Sequence, residues 1–113
     1  MEEQALLLDV ALSRAPAGWH SLVRRAYERI EAHNRRRDGK VQMLNVRDRD
    51  GKLELWTDQR LERRSLQMDL LVICDESVHV CQECGQSGKP VEESAWRKTL
   101  CAEHARQLRE RVR

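Results

Sequence analysis

Hydrophobic positions change their spacing repeatedly along the chain, and each change predicts an element. Residues 5–13 are apolar except for Asp9 and Ser13, and they predict a short helix that Ala15-Pro16-Ala17-Gly18 ends. A clear amphipathic period follows. Leu22, Val23, Ala26, Tyr27, Ile30 and His33 share one helical face, while Arg24, Arg25, Glu28, Arg29, Glu31 and Arg35 lie largely on the other. His20 and His33 belong with this packed helix, which should end at residues 34–37, before the turn signal Asp38-Gly39.

From residue 41 to 57 the period becomes two, centred on Asp50-Gly51, the dipeptide that a two-residue hairpin turn prefers because both central residues need positive φ. Closing that turn pairs Arg49 with Lys52, Val46 with Leu55 and Leu44 with Thr57. This register puts Leu44, Val46, Leu53 and Leu55 on one face and sets Arg47 opposite Glu54 on the other. Thr57 or Asp58 can then cap a third helix over residues 59–77. Leu61, Met68, Leu71 and Val72 form one stripe of it, and Leu66, Leu70 and Ile73 an adjoining one. Two apolar stripes make it the most buried helix expected. The run Leu70-Leu71-Val72-Ile73-Cys74 also fits a buried strand, and helix is the reading adopted, with Cys74 as a small core residue.

The 113 residues suit one unit, with helices and a hairpin over 1–80 and a distinct segment over 81–113. Charged residues make up 35% of the chain and aromatic ones 4%, with no Phe, so the core is thin and a staple would help it. Trp19 and Trp96, beside structural breaks, read as core. No apolar run is long enough to span a membrane and no secretion signal opens the chain, which leads us to expect a cytoplasmic protein without a membrane partner. The net charge of +2 conceals a clustered distribution: residues 19–40 and 97–113 each carry +4. These two basic segments form one positive face only if they pack side by side; otherwise they are ordinary solvated surfaces.

The strongest chemical signal is Cys81-Gln82-Glu83-Cys84-Gly85 followed by Cys101-Ala102-Glu103-His104. C-x2-C…C-x2-H is the spacing at which two ligand pairs converge on a tetrahedral zinc ion. Gly85 permits the reversal after the second thiolate. Cys101 and His104, three apart at the start of a helix, can face one point. The intervening segment is long enough for a hairpin whose turn includes Gly88-Lys89-Pro90. Knuckle, hairpin and ligand-bearing helix make a treble-clef zinc finger, so the expected fold class is α+β, with helices around a β-hairpin and a carboxy-terminal Cys3His finger. Two disulfides, or four separate buried residues, are the competing readings of these positions, disfavoured by this spacing in a cytosolic-looking chain. His79 reads as a surface or strand residue. With Cys81, Cys84, Cys101 and His104 all bound, one Zn2+ has a closed coordination sphere and is structural. Treble-clef nucleases need a general-base His on the hairpin, which the segment between Cys84 and Cys101 lacks. With no phosphate loop or nucleophile elbow elsewhere, an enzyme is not expected.

These residues resemble a family of small proteins of phages, prophages and bacterial genomes. Its pattern opens with Gly-Trp and an amphipathic helix, continues with a hairpin motif K-E-K-F-G-G-L-R-F-Y, and ends with C-x2-C-G, a Trp and L-C-x2-H. Gly18-Trp19-His20-Ser21-Leu22-Val23 matches the opening, Ser77 stands where the family often has Ser, and Cys81, Cys84, Gly85, Trp96, Leu100, Cys101 and His104 match the end. The middle, Arg47-Asp48-Arg49-Asp50-Gly51-Lys52-Leu53-Glu54-Leu55-Trp56, keeps the length, one Gly and the Leu, and lacks the aromatic residue before the turn. The resemblance implies a zinc-finger fold and a phage or mobile-element origin, and no settled activity.

Three functional readings follow. The first is a zinc-stabilised interaction protein that docks on a host protein complex, such as a defence or transcription system, through Arg47, Arg49, Lys52 and Trp56. The second is a nucleic-acid-binding protein that sets Arg24, Arg25, Arg29, Arg35, Arg36 and Arg37, with Arg106, Arg109, Arg111 and Arg113, against phosphates. Tyr27, the one aromatic residue among those arginines, belongs to the apolar face of its helix, so base stacking by these clusters is weak. The third is a self-associating structural domain, dimerising through the Leu-rich first helix.

Overall fold

A computed structural model of the chain describes residues 5–37, 39–58, 64–93 and 96–111. Its described elements are α1 (Leu8–Arg14), a 3₁₀ turn (Ala17–Trp19), α2 (His20–Arg37), β1 (Met43–Arg49), β2 (Lys52–Thr57), α3 (Arg64–Glu76), a second 3₁₀ turn (Ser77–His79), β3 (Lys89–Glu93), β4 (Trp96–Leu100) and α4 (Ala102–Arg111). The strands form two antiparallel hairpins, β1-β2 and β3-β4. The fold is α+β, with a Cys3His finger at its carboxy-terminal end.

In α2 the expected face is the buried one: Leu22, Val23, Ala26 and Ile30 enter the main core with Trp19. The helix end is reinforced by Asn34, whose side-chain amide donates to Val41 O (2.9 Å) and accepts from Val41 N (3.1 Å). This amide imitates a strand partner and turns the chain towards β1. The hairpin closes as the dipeptide dictates, with φ of 51° at Asp50 and 85° at Gly51. Arg49 pairs with Lys52, Arg47 with Glu54 and Val46 with Leu55.

Four expectations need correction. Helix α1 starts at Leu8, not at residue 5, because Leu6 is held in extended backbone: its N–H donates to Met43 O (2.7 Å) and its carbonyl accepts from the Tyr27 hydroxyl (2.6 Å). Thr57 pairs with Met43 rather than Leu44, because a bulge between Met43 and Asn45 inserts one residue and turns Met43 into the core, leaving Leu44 half-buried. Helix α3 is buried on one side only. Leu66, Leu70 and Ile73 face the core, whereas Met68, Leu71 and Val72 are 55%, 49% and 54% exposed. Leu61 lies outside the described residues. Finally, Lys89 and Pro90 belong to β3, and the second hairpin turns between Glu93 and Trp96. β3 is an edge strand, where a Pro costs no ladder bond. Trp96 is half-buried against the finger's own small core of Cys81, Val91, Leu100 and Ala105.

The outer edge of β2 is closed by side chains of α3 and the turn after it. Leu53 N donates to the Ser77 hydroxyl (2.9 Å), which itself donates to Cys74 O (2.5 Å), and the Leu55 N–H reaches the Cys74 thiol. Burial pushes that thiol up to about 11, so Cys74 is a packed, poorly nucleophilic cysteine.

Burial likewise raises the Tyr27 phenol from 10 to about 12, against the pull of Arg14. The folded chain thus holds this proton more tightly than the unfolded chain does. The associated stability is whole below pH 10 and is lost as pH rises through about 12. Tyr27→Phe should flatten the fall of stability over that alkaline interval in urea titrations, and an unchanged profile would show that another group causes the fall.

Candidate metal centre

The site grows from backbone contacts that join three distant stretches. Gly18 N donates to Gln82 O (2.8 Å), and the Trp19 indole donates to Val80 O (2.8 Å). Gln82 is buried and exchanges bonds with Thr99, through Gln82 N to Thr99 O (2.9 Å) and Thr99 N to Gln82 Oε1 (3.0 Å), while its amide nitrogen donates to Asp48 Oδ2 (3.0 Å). The Thr99 hydroxyl donates to Gly51 O (2.6 Å). The Gly-Trp turn, the Asp-Gly turn and the cysteine knuckle are therefore one contact region. Glycine is needed where the backbones touch: a Cβ on Gly18 would stand 2.0 Å from Cys81 O and 2.7 Å from Gly85 N. Gly18→Ala should cost about 1–3 kcal/mol by prying the knuckle from the helices. Thermal unfolding of the metal-loaded variant checks this, and an unshifted midpoint would refute it.

Within the knuckle, Cys81 N donates to Gln86 O (2.7 Å) and Gly85 N to Cys81 O (2.8 Å), with Gly85 at φ 82°. This turn aims Cys81 and Cys84 at Cys101, which ends the hairpin, and at His104 in the first turn of α4. The four donor atoms all lie within 4.8 Å of one another. His104 Nδ1 is 3.2 Å from Cys101 Sγ and 3.6 Å from Cys81 Sγ, and Cys84 Sγ is 3.9 Å from Cys101 Sγ. A tetrahedron with Zn–S of about 2.3 Å and Zn–N of about 2.0 Å has edges of roughly 3.8 and 3.6 Å, so the donors already stand near the required spacing. All four cysteines, including Cys74, are free thiols, and the sulfurs are too far apart for a disulfide.

The groups of the quartet perturb one another's protonation. The His104 backbone N–H donates to Cys101 Sγ (3.5 Å) and, with the imidazole, draws that thiol from 9 down to about 7. The hydrogen bond to Cys101 in turn raises the affinity of His104 for its proton. The Cys84 thiol moves the other way: against the lowering bond from the Gln86 backbone, desolvation and its hydrogen bonds with Cys81 and Cys101 raise it, so a metal ion entering the site must displace protons. Three soft thiolates and one imidazole suit zinc among biological cations. These side chains form a site that can hold one metal ion.

Compared with known proteins, the chain matches no family model, no curated protein and no solved structure. The reading of the site rests on its own geometry.

The other residues singled out in the sequence are spread over two surfaces. Arg47, Arg49, Lys52 and Trp56 lie on the hairpin β1-β2, with Trp56 50% exposed, the Arg47 guanidinium 6.0 Å from its ring centre, and its indole donating to Glu54 (2.5 Å). Several helix arginines are engaged within the chain: Arg25 with Glu76, Arg35 with Glu31, Arg106 with Glu103 and Glu110, and Arg109 with Glu93. Arg24, Arg29 and Arg36 are exposed on α2 and Arg111 on α4, Arg37 ends α2, and Arg113 lies outside the described residues. Near the described ligands, His79 is exposed, while His20 reaches Ala15 O (3.3 Å). The residues that sequence reasoning missed are Gln82 and Thr99. Their signal was faint: a polar pair next to ligand positions, with nothing in the local pattern to reveal burial. No described helix is long and apolar enough to cross a membrane.

Proposed function

We propose that the chain is a zinc-stabilised interaction module that acts by occupying a partner's surface rather than by catalysis. The observation that carries this is the convergence of Cys81, Cys84, Cys101 and His104 at tetrahedral spacing, because four protein donors close the coordination sphere and give the ion a structural task. What the ion braces is the contact region behind the hairpin β1-β2, whose outer face presents Trp56 under Arg47 and the charges of Arg49 and Lys52. A half-exposed Trp beside Arg is the kind of anchor that dominates protein interfaces. The proposed partner is a host protein complex in the bacterial cytoplasm, the class suggested by the small size of the chain and its lack of catalytic groups; a phage or prophage origin, which the sequence resemblance implies, is part of the same proposal.

Carboxylate partners occupy cations on both surfaces, Arg25, Arg35, Arg106 and Arg109 on the helices and Arg47, Arg49 and Lys52 on the hairpin, and the half-exposed Trp56 is what favours the protein-binding reading over the nucleic-acid one. Affinity capture with the metal-loaded protein, after nuclease and across a salt series, separates the two. A defined protein should remain at high salt and be lost with Trp56→Ala or Arg47→Glu, each costing about 2 kcal/mol or more of binding. Loss of all partners on nuclease treatment would overturn the proposal, as would zinc content unchanged by Cys84→Ser.

A further inference from the structure

We propose that the cleft between the end of α2 and the start of α3 binds the phosphate group of a small, hydroxyl-bearing phosphomonoester. A cavity of about 210 Å³ lies there, lined by Arg29, His33 and Arg36 of α2 and by Ser65, Leu66 and Asp69 of α3. The three α2 positions are four and three residues apart, so they share one flank of that helix.

The bonding capacity that this lining leaves unused defines the ligand. Arg25 and Arg35 of the same helix are paired, with Glu76 and Glu31. Arg29, Arg36, the His33 ring and the Ser65 hydroxyl have no hydrogen-bond or ion-pair partner among the described residues. Asp69 shares the cavity but forms no ion pair with either arginine, so two guanidinium groups against one carboxylate leave it net positive.

A phosphomonoester brings close to two negative charges and three acceptor oxygens on one phosphorus. Two guanidinium forks, an imidazole and a hydroxyl supply more donors than the two oxygens of a carboxylate can use, and they match a phosphate. Ser65 stands in the first turn of α3, where backbone N–H groups lack intrahelical acceptors, and this adds to the preference for an anion. The Asp69 carboxylate only accepts hydrogen bonds, so it repels a second anionic group and suits a hydroxyl beside the phosphate. Leu66 gives the cavity an apolar wall for the adjoining carbons. Pockets for drug-sized ligands run from about 300 Å³ upward, and this smaller one suits a phosphate with a few carbons rather than a polymer. The cleft is separate from the hairpin surface assigned to a protein partner.

Amide NMR shifts of the metal-loaded full chain, titrated with glycerol phosphate, inorganic phosphate and a short DNA duplex, test it. Glycerol phosphate should shift residues 29–36 and 65–69 and bind more tightly than inorganic phosphate. Arg29→Gln and Arg36→Gln should each weaken it about tenfold, with circular dichroism and metal content unchanged. Arg24→Gln, exposed on the same helix outside the cavity, should leave binding intact, and Asp69→Asn should erase the preference for glycerol phosphate over inorganic phosphate. Absence of shifts at these residues overturns the proposal, as does an equal loss in Arg24→Gln, the mark of diffuse surface charge. Tighter binding of the duplex through the same residues overturns it too, by making the bound phosphate that of a nucleic acid.

Discussion

Stripping the metal ion, proposed to be zinc, with a strong chelator is expected to dissolve the carboxy-terminal third of the protein. The small core around Cys81, Val91, Leu100 and Ala105 has few members, and the polar ties of this part, Thr99 to Gln82 and Gly51 and Arg109 to Glu93, depend on the knuckle staying in place. Structural zinc contributes roughly 10–16 kcal/mol in finger peptides at neutral pH, as much as the whole stability of an ordinary domain. Amide exchange in residues 89–93 and 96–111 should therefore rise to near the unfolded rate on metal removal and recover on adding zinc back. Acid should mimic the chelator, because three thiolates and a neutral imidazole must be kept free of protons for the ion to stay. Protected amides in the reduced, metal-free chain would contradict this account.

The second large effect is expected from Trp19→Ala. The Trp19 side chain is fully buried where α2, the main core and the finger meet, and its indole donates to Val80 O (2.8 Å) one residue before the first ligand. Truncation leaves a cavity and an unpartnered carbonyl, a loss of about 3–5 kcal/mol. At about 4–8 °C per kcal/mol for a domain near this size, the melting midpoint of the zinc-loaded protein should fall by roughly 15–30 °C. Trp19→Phe keeps most of the apolar contact and gives up only the hydrogen bond, so it should lose about 1–2 kcal/mol. Equal losses in the two variants would mean that packing is not the main term.

Much of this architecture was legible in the residues. The ligand quartet was readable because metal geometry leaves few spacings, and the first hairpin because Asp50-Gly51 fixes both turn and register. What stayed hidden depended on partners distant in sequence. Leu66-Leu70-Ile73 and Met68-Leu71-Val72 both repeat at helical spacing, and nothing local tells which stripe meets the core. Gly88-Lys89-Pro90 has turn chemistry, yet the anchoring of Gly88 N on His79 O (2.9 Å) commits that stretch to the start of a strand. The extended stretch at Leu6 was concealed because its hydrogen-bond partners, Met43 and Tyr27, lie in other elements. Gln82 looked like a spacer between cysteines, but it is the buried link joining Gly18, Asp48 and Thr99.

That link also sets the order in which a newly made chain can mature. Gly18, Asp48 and Gly51 leave the ribosome well before Gln82 and Thr99, to which they bond. The helices and first hairpin can collapse early, but their backbone groups facing the finger remain hydrated until the last residues arrive and His104 completes the quartet. With a metal ion bound at the quartet, as proposed, metal supply would be the final step of this folding order. A chain made in zinc-starved cells would present an unfinished face around Gly18 and Gly51 to the proteases that clear incomplete proteins.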